Sequence, residues 1–361
     1  MPQSRWEKYK QDNNVVLPTL TKKEEQPASS LRYKISMAQI DPNGLCNAGC
    51  WFWPVAYAPN PEIGKKNMSI EMLDDILRQL HEGKGDFVSP HFDMIYTAHY
   101  NEVLLYRYFE EMLQLFRKYG FKTIILTNGT PLTKAKTDII KQYQDVVYGI
   151  CFNTPTSNAE RWSKAVGMNI KLHDKLLSNI DYAIEQLPEM FETKRLSIQV
   201  NGLNKMSLFE YGGWLDKLEN APDLDLDPES GSLSIEVKEF MERFPGMQVY
   251  PMPSLIDRAG HLDKQKVITN ARAITTYLKG DKDRVVGCGN GIEVGGRPNG
   301  WLHLNANGDA FICCNDYDFE TAFANVADKP IKEIWHGSEH TAMIQKSYDT
   351  ICRTCAAAIW G

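Results

Sequence analysis

RYKISMAQIDPNGLCNAGCWFWP, residues 32–54, is the stretch whose reading decides the fold. Residues 32–40 alternate in the manner of a β-strand and run into Asp41-Pro42-Asn43-Gly44, a turn signal. Cys46 and Cys50 follow at once, with Trp51, Phe52 and Trp53 beside them. Two thiols four apart in a loop after a strand can hold a soft metal or a cluster. They can equally be two loop thiols next to an aromatic cluster.

A rhythm extends from this strand. Ile70, Leu73, Ile76, Leu77 and Leu80 recur at helical spacing. FDMIYTA (92–98) reads as a buried strand, and Leu105, Phe109, Met112, Leu115 and Phe116 mark a helix stopped by Gly120. FKTIILT (121–127) is a strand closed by Asn128-Gly129, and a short helix leads to DVVYGICF (145–152). Leu172, Leu176, Ile180, Ile184 and Leu187 form the next helical face, followed by strand RLSIQVN (195–201). Helical stretches near 206–219 and 232–244 precede a sixth strand, MQVYPM (247–252). Strands alternating with helices imply a parallel sheet, because a parallel return needs a crossover. The expected fold class is α/β, and an open or partial (β/α)6 TIM-like barrel followed by a small α+β domain fits the pattern as well as a flat doubly wound sheet does. Ligands then sit at the C-terminal ends of the strands, and the two cysteines, Asn101-Glu102, Asn128-Gly129 and Asn153-Thr154 all fall on that rim.

After about residue 255 the rhythm changes. DRAGHLD (257–263) and GNGIEVGGRPNG (289–300) are turn-rich, and WLHLNANGDAFICC (301–314) reads as a hairpin. IKEIWHGSEHTAMIQK (331–346) reads as one helix, and Cys352 and Cys355 follow as C-x-x-C. The expected division is 1–30 an N-terminal arm, 31–255 the barrel and 256–361 the second domain.

Composition bounds the reading without deciding it. The chain has 361 residues, 43% hydrophobic and 24% charged, with a net charge of −6, so no global attraction to nucleic acid or an anionic membrane is expected. The start lacks an apolar signal segment, and no run approaches the roughly 18 apolar residues of a membrane helix. The expectation is a cytoplasmic protein. In a reducing compartment the eight cysteines point to metal binding or catalysis rather than disulfides. No G-x-G-x-x-G or Walker segment signals a nucleotide-phosphate cradle.

The Cys46-to-Trp53 segment resembles the C-x-x-x-C-x-(aromatic)-C signature of radical S-adenosylmethionine (SAM) enzymes, with Trp53 in the place of the third cysteine. In that family three thiolates hold a [4Fe–4S] cluster whose open iron chelates SAM. Reductive cleavage then yields a 5′-deoxyadenosyl radical that abstracts hydrogen from substrate, often with net oxidation. The resemblance implies that Cys46 and Cys50 are cluster ligands and that Phe52 borders the adenine. YTAHYNEVLLY (96–106) is similar to the family's Gly-Glu segment, with Glu102 at the acidic position toward the SAM ammonium. Asn128 in Thr-Asn-Gly and Asn153 at the end of strand four are the further cofactor-contact positions. Indole offers iron no lone pair, so Trp53 should impair the cluster. Cys151 is the spare cysteine of the barrel.

Cys288, Cys313, Cys352 and Cys355 supply four thiolates, which suit a [4Fe–4S] cluster or a structural zinc; spacing does not choose. Asp257 to Gly260, the W-x6-G-D-x3-C-C-x-D run from Trp301 to Asp316, residues 324–335 and the closing C-x-x-C resemble the SPASM/twitch accessory domain of radical SAM enzymes, which binds auxiliary [4Fe–4S] clusters. Cys314 competes with Cys313, since adjacent strand residues point oppositely. The implied cofactors are a barrel [4Fe–4S] cluster, an auxiliary [4Fe–4S] cluster and SAM. The implied partners are a peptide, sugar or small-molecule substrate and an electron donor such as flavodoxin or ferredoxin, with neither membrane nor nucleic acid indicated. A non-catalytic iron–sulfur binding or scaffold protein and a zinc-stabilised domain protein are the alternative readings.

Overall fold

The structure is a computed structural model that describes residues 33–50, 53, 66–201, 233–252, 279, 281–291, 295–355 and 357–361. The N-terminal arm, Phe52, the helix expected near 206–219 and the segment 257–263 lie outside the described residues.

Strand β1 (Met37–Ile40) is the last part of the strand expected over 32–40. Helix α1 (Ile70–Glu82) starts where Ser69 accepts a hydrogen bond from the Met72 N–H, and it buries Leu73, Ile76, Leu77 and Leu80. The remaining barrel elements are β2 (Ile95–Tyr96), α2 (Phe109–Tyr119), β3 (Thr123–Thr127), α3 (Lys134–Gln142), β4 (Val147–Asn153), α4 (Ala159–Val166), α5 (Lys171–Gln186), α6 (Pro188–Glu192), β5 (Leu196–Asn201), α7 (Leu233–Arg243) and β6 (Gln248–Met252). The expected stop at Gly120 is a left-handed residue with φ 69°.

Strands β3, β4, β5 and β6 pair in parallel in that order, and β1 pairs in parallel with β2. A parallel bridge from Met94 to Lys122 joins the two groups. The six strands therefore run in chain order, as a partial (β/α)6 barrel requires. Ile125, Ile150, Phe152, Ile198 and Val200 belong to the buried core shared with the helices. Their strand neighbours Leu126, Asn153, Ser197, Gln199 and Tyr250 are only half-buried. A period of two thus gives the sheet a dry outer face and a reachable inner one.

The second part consists of β7 (Val285–Cys288), the short helix α8 (Arg297–Gly300), β8 (Trp301–Leu304), β9 (Asp309–Phe311), β10 (Ala324–Asn325), α9 (Ile331–His336), α10 (Ser338–Asp349) and β11 (Ala358–Trp360). The hairpin forms as read, turning at Gly308 with φ 85°. Periodicity did not disclose that the hairpin continues the barrel sheet. Strand β8 pairs in parallel with β1, Met37 to Ile40 against Trp301 to Leu304, and β9 and β10 extend the edge antiparallel.

One expectation needs correction. Residues 331–346 are not a single helix, because Gly337 is extended (φ −62°, ψ 153°) and separates α9 from α10. The break lets the buried ring of His340 stack on Phe323 at 4.9 Å and donate from Nδ1 to the Trp335 carbonyl, 3.0 Å away. Among the described residues no helix is long and apolar enough to cross a membrane.

Candidate iron–sulfur and barrel-rim sites

The loop after β1 is anchored on three sides. Asp41 N–H donates to the Leu304 carbonyl at 2.9 Å, Glu102 N–H to the Leu45 carbonyl at 2.7 Å, and Gly49 N–H to the Val166 carbonyl at 2.8 Å. Asn47 adds a side-chain clamp: its Nδ2 donates to Thr130 Oγ1 at 2.9 Å and its Oδ1 accepts from Asn128 Nδ2 at 2.9 Å. Cys46 and Cys50 are half-buried free thiols on this loop. Burial, with the nearby Glu102 charge adding, pushes the Cys46 thiol up to about 11, and burial beside Cys46 pushes Cys50 higher still.

Trp53 follows in a tight turn, its N–H donating to the Cys50 carbonyl at 2.9 Å. Its indole meets the Tyr100 ring edge-on at 5.9 Å. The residues present therefore do not fit a three-thiolate cluster. The third position is filled by an aromatic ring that packs and cannot coordinate. Cys151 does not supply the missing ligand, because it is buried on β4 with its Sγ 3.1 Å from Tyr250 Oη. Among the described residues no group of three His, Cys, Asp or Glu side chains is arranged to hold a metal ion.

Glu102 lies on the rim but is already occupied. Its carboxylate accepts from the N–H groups of Leu104 (3.2 Å) and Asn128 (2.9 Å) and from Thr127 Oγ1 (3.0 Å). Burial is the largest influence and raises its pKa to about 7 against those bonds. Asn128 is tied to Asn47 and Thr130, so the expected contact residue also holds the cysteine loop. Gly129 takes φ 78°, which confirms the turn reading of Thr-Asn-Gly. Asn153 shares one rung with Gln199 and Tyr250, facing the barrel interior. Sequence reasoning missed Asn47, Thr130, Ser197, Gln199 and Tyr250. Ser197 and Gln199 were visible in principle, since RLSIQVN alternates polar and apolar residues.

The C-terminal thiols are assembled by pairing that sequence did not reveal. Strands β7 and β11 run antiparallel with Cys288 opposite Ala358, three residues beyond Cys355. Gly289 N–H donates to the Ala357 carbonyl at 2.8 Å. A 3-10 turn over Ile351–Thr354 presents Cys352 and Cys355. N–H donors point at sulfur in this group: Asn315 N–H lies 3.4 Å from Cys313 Sγ, Ala357 N–H 3.4 Å from Cys355 Sγ, and Asn315 Nδ2 3.6 Å from Cys355 Sγ. Such donors favour the thiolate form that iron requires. Burial raises Cys352 to about 12, with Cys355 and Cys288 as electrostatic neighbours. Cys313 also has Cys355 as an electrostatic neighbour, so the four thiols share one region and their chemistry suits an anionic cluster, although they are not drawn together into a metal-holding group. Cys314 lies beside Cys313 and shares its cation: Arg297 Nη1 donates to the Cys314 Sγ, and Tyr100 Oη (3.0 Å) and His99 Nε2 both bond the Cys314 carbonyl.

The rim and the C-terminal site are thus one connected structure. His99 Nδ1 faces the buried Asp41 Oδ2 at 3.3 Å, and Tyr100 stacks edge-on against Tyr317 at 4.6 Å.

Comparison with known proteins follows the same division. Residues 296–356 match the SPASM family, described as an iron–sulfur cluster-binding domain. No curated protein is similar in sequence. Among solved structures, BtrN in complex with AdoMet and 2-DOIA shares 14% identity over 91% of this chain and 94% of its own, with a TM-score of 0.51. Streptococcus suis SuiB bound to precursor peptide SuiA shares 15% over 91% of this chain and 70% of its own, with a TM-score of 0.56. Native anSMEcpe with bound AdoMet shares 12% over 89% and 88%, with a TM-score of 0.53. The chain has the partial-barrel fold of radical SAM enzymes. The SPASM match lies in the part of the chain that follows this barrel, residues 296–356. The SPASM family is described as binding iron–sulfur clusters, and two of these fold neighbours, SuiB and anSMEcpe, were solved with S-adenosylmethionine bound.

Proposed function

We propose that the chain is a radical SAM enzyme scaffold whose own chemistry is impaired at Trp53. The observation that carries this reading is the convergence of the Cys46–Cys50 loop, Glu102 and Asn128 through direct hydrogen bonds at the C-terminal rim of the barrel. The chemistry that a complete site would supply is hydrogen abstraction by a 5′-deoxyadenosyl radical. In this chain Cys46 and Cys50 are the remaining ligands, Phe52, Glu102, Asn128 and Asn153 the cofactor-contact positions, and Cys288, Cys313, Cys352 and Cys355 the auxiliary ligands. We take the substrate to be a peptide, a sugar or another small molecule. A flavodoxin or ferredoxin would serve as electron donor, in the cytoplasm.

A second reading is supported by the seat of Trp53 on Tyr100. That packing stabilises the loop without metal, as a non-catalytic iron–sulfur binding or scaffold protein would need. The deciding experiment is 5′-deoxyadenosine formation from SAM under anaerobic reducing conditions after cluster reconstitution, comparing the chain with Trp53→Cys. Cleavage by the revertant alone supports the enzyme scaffold. Cleavage by both overturns the assignment of Trp53 as the impairing residue. Cleavage by neither, with iron loaded at the C-terminal site, supports the scaffold protein.

A further inference from the structure

Arg297 is a cation set among thiols. Its Nη1 donates to Cys314 Sγ, and its electrostatic neighbours are Cys314, Cys313 and Cys288. Burial works against its charge, yet those sulfurs raise its pKa above the ordinary arginine value. No carboxylate of the described residues forms an ion pair with it. Its Nε is fully enclosed and has no hydrogen-bond partner among the described residues. Leaving a charged donor buried and unmet is more costly than leaving a neutral one so, and this site has a place for further negative charge.

The local backbone is built to hold the guanidinium there. Gly296 takes φ 91°, and a Cβ on it would lie 3.0 Å from the Cys288 Cβ and 3.1 Å from the Cys288 carbonyl oxygen. Only glycine lets residue 296 press against the end of β7. Arg297 N–H then donates to the Asn290 carbonyl at 2.7 Å, and Gly296 N–H to the Gly291 carbonyl at 2.8 Å. The side chain lies over the Trp301 ring with its Cζ 4.4 Å from the centroid. Turn, ring and sulfur fix one orientation.

We infer that Arg297 is the built-in counter-charge of the auxiliary cluster, a positioning residue that sets its reduction potential. The inference rests on the reading of Cys288, Cys313, Cys352 and Cys355 as cluster ligands. A [4Fe–4S] cluster on four thiolates is anionic, and it becomes more so on gaining an electron. A fixed cation beside it stabilises the reduced state more than the oxidised one and raises the potential. Cys314, bonded to the same guanidinium, stays outside the ligand set.

The test is an EPR-monitored redox titration of the reconstituted full chain in a Cys46→Ala/Cys50→Ala background, so that only the C-terminal cluster contributes. Iron and zinc are measured first. Arg297→Gln is expected to load iron and to disfavour the reduced form at least tenfold, a midpoint more negative by about 59 mV for a one-electron couple. Arg297→Lys is expected to stay within that tenfold. A fully loaded Arg297→Gln with an unchanged midpoint overturns the inference. If Arg297→Gln takes up no iron, Arg297→Lys decides. A loaded Lys variant with the parent midpoint supports a charge role, and a Lys variant that is unloaded or shifted overturns it. A parent protein holding zinc instead of iron removes the cluster reading itself, and metal analysis identifies that case before any titration. The barrel-site reading is untouched by either result.

Discussion

Glu102 Oε2 accepts a hydrogen bond from the backbone N–H of Asn128 at 2.9 Å, so the acidic residue after β2 is latched to the turn that ends β3. Thr127 Oγ1 reaches the same oxygen at 3.0 Å. The latch is buried, and burial raises the Glu102 pKa from 4.5 to about 7. A raised carboxyl pKa gives stability that is complete below the unfolded value and lost as pH rises through the folded one. The metal-free protein should therefore lose stability between about pH 5 and pH 8, by up to about 3 kcal/mol from this group. Glu102→Gln should remove that part of the slope. Urea unfolding of both proteins at the two pH values checks it; parallel profiles would refute it.

Trp53→Cys should add a second cluster. Iron per chain after reconstitution is expected to rise from about four to about eight, with matching sulfide, since each cluster holds four irons. The packing lost with the indole includes the edge contact on Tyr100 at 5.9 Å. Iron that stays at about four per chain would show that the loop cannot close on a cluster even with its third thiol.

Cys313 and Cys314 should separate by function. Cys313→Ser is expected to lose most of the C-terminal iron and its visible absorbance. Cys314→Ser is expected to retain both, because that thiol is held by Arg297 and its backbone carbonyl by Tyr100. The opposite pattern would exchange the two roles.

Gly129→Ala should be costly. The residue has φ 78°, and a Cβ there would come within 2.3 Å of Leu176 Cδ1 and 3.2 Å of Phe152 Cδ1. The left-handed penalty of roughly 1–2 kcal/mol and overpacking of about 1–3 kcal/mol give an expected loss of about 2–5 kcal/mol. A fall in the urea midpoint without a change of slope would register it. Barrel-loop chemistry should suffer too, because the turn holds Asn128 against Asn47.

Much of the barrel was legible because its signals are local. The strands expected at 121–127, 145–152, 195–201 and 247–252 appear as β3 to β6 within two residues at each end. The helix with Leu73, Ile76, Leu77 and Leu80 buries those four residues. The break at Gly337 was missed because the apolar period runs on through 331–346, and only the docking of His340 against Phe323 and Trp335 shows why the chain turns there.

The order of strands and helices, the rim position of Cys46, Cys50, Glu102 and Asn128, and the thiol that Trp53 removes from a cysteine triplet can be read along the chain. These follow from periodicity, turn chemistry and residue identity, which neighbours along the chain suffice to express. Which distant groups meet is settled by folding alone. It placed β8 beside β1 across more than 250 residues, brought Cys288 to Cys355 through the β7–β11 pair, and set Arg297 on Cys314. Such contacts arise from backbone hydrogen bonds between strands and from the burial of one cation among sulfurs, and no local pattern in the chain encodes them.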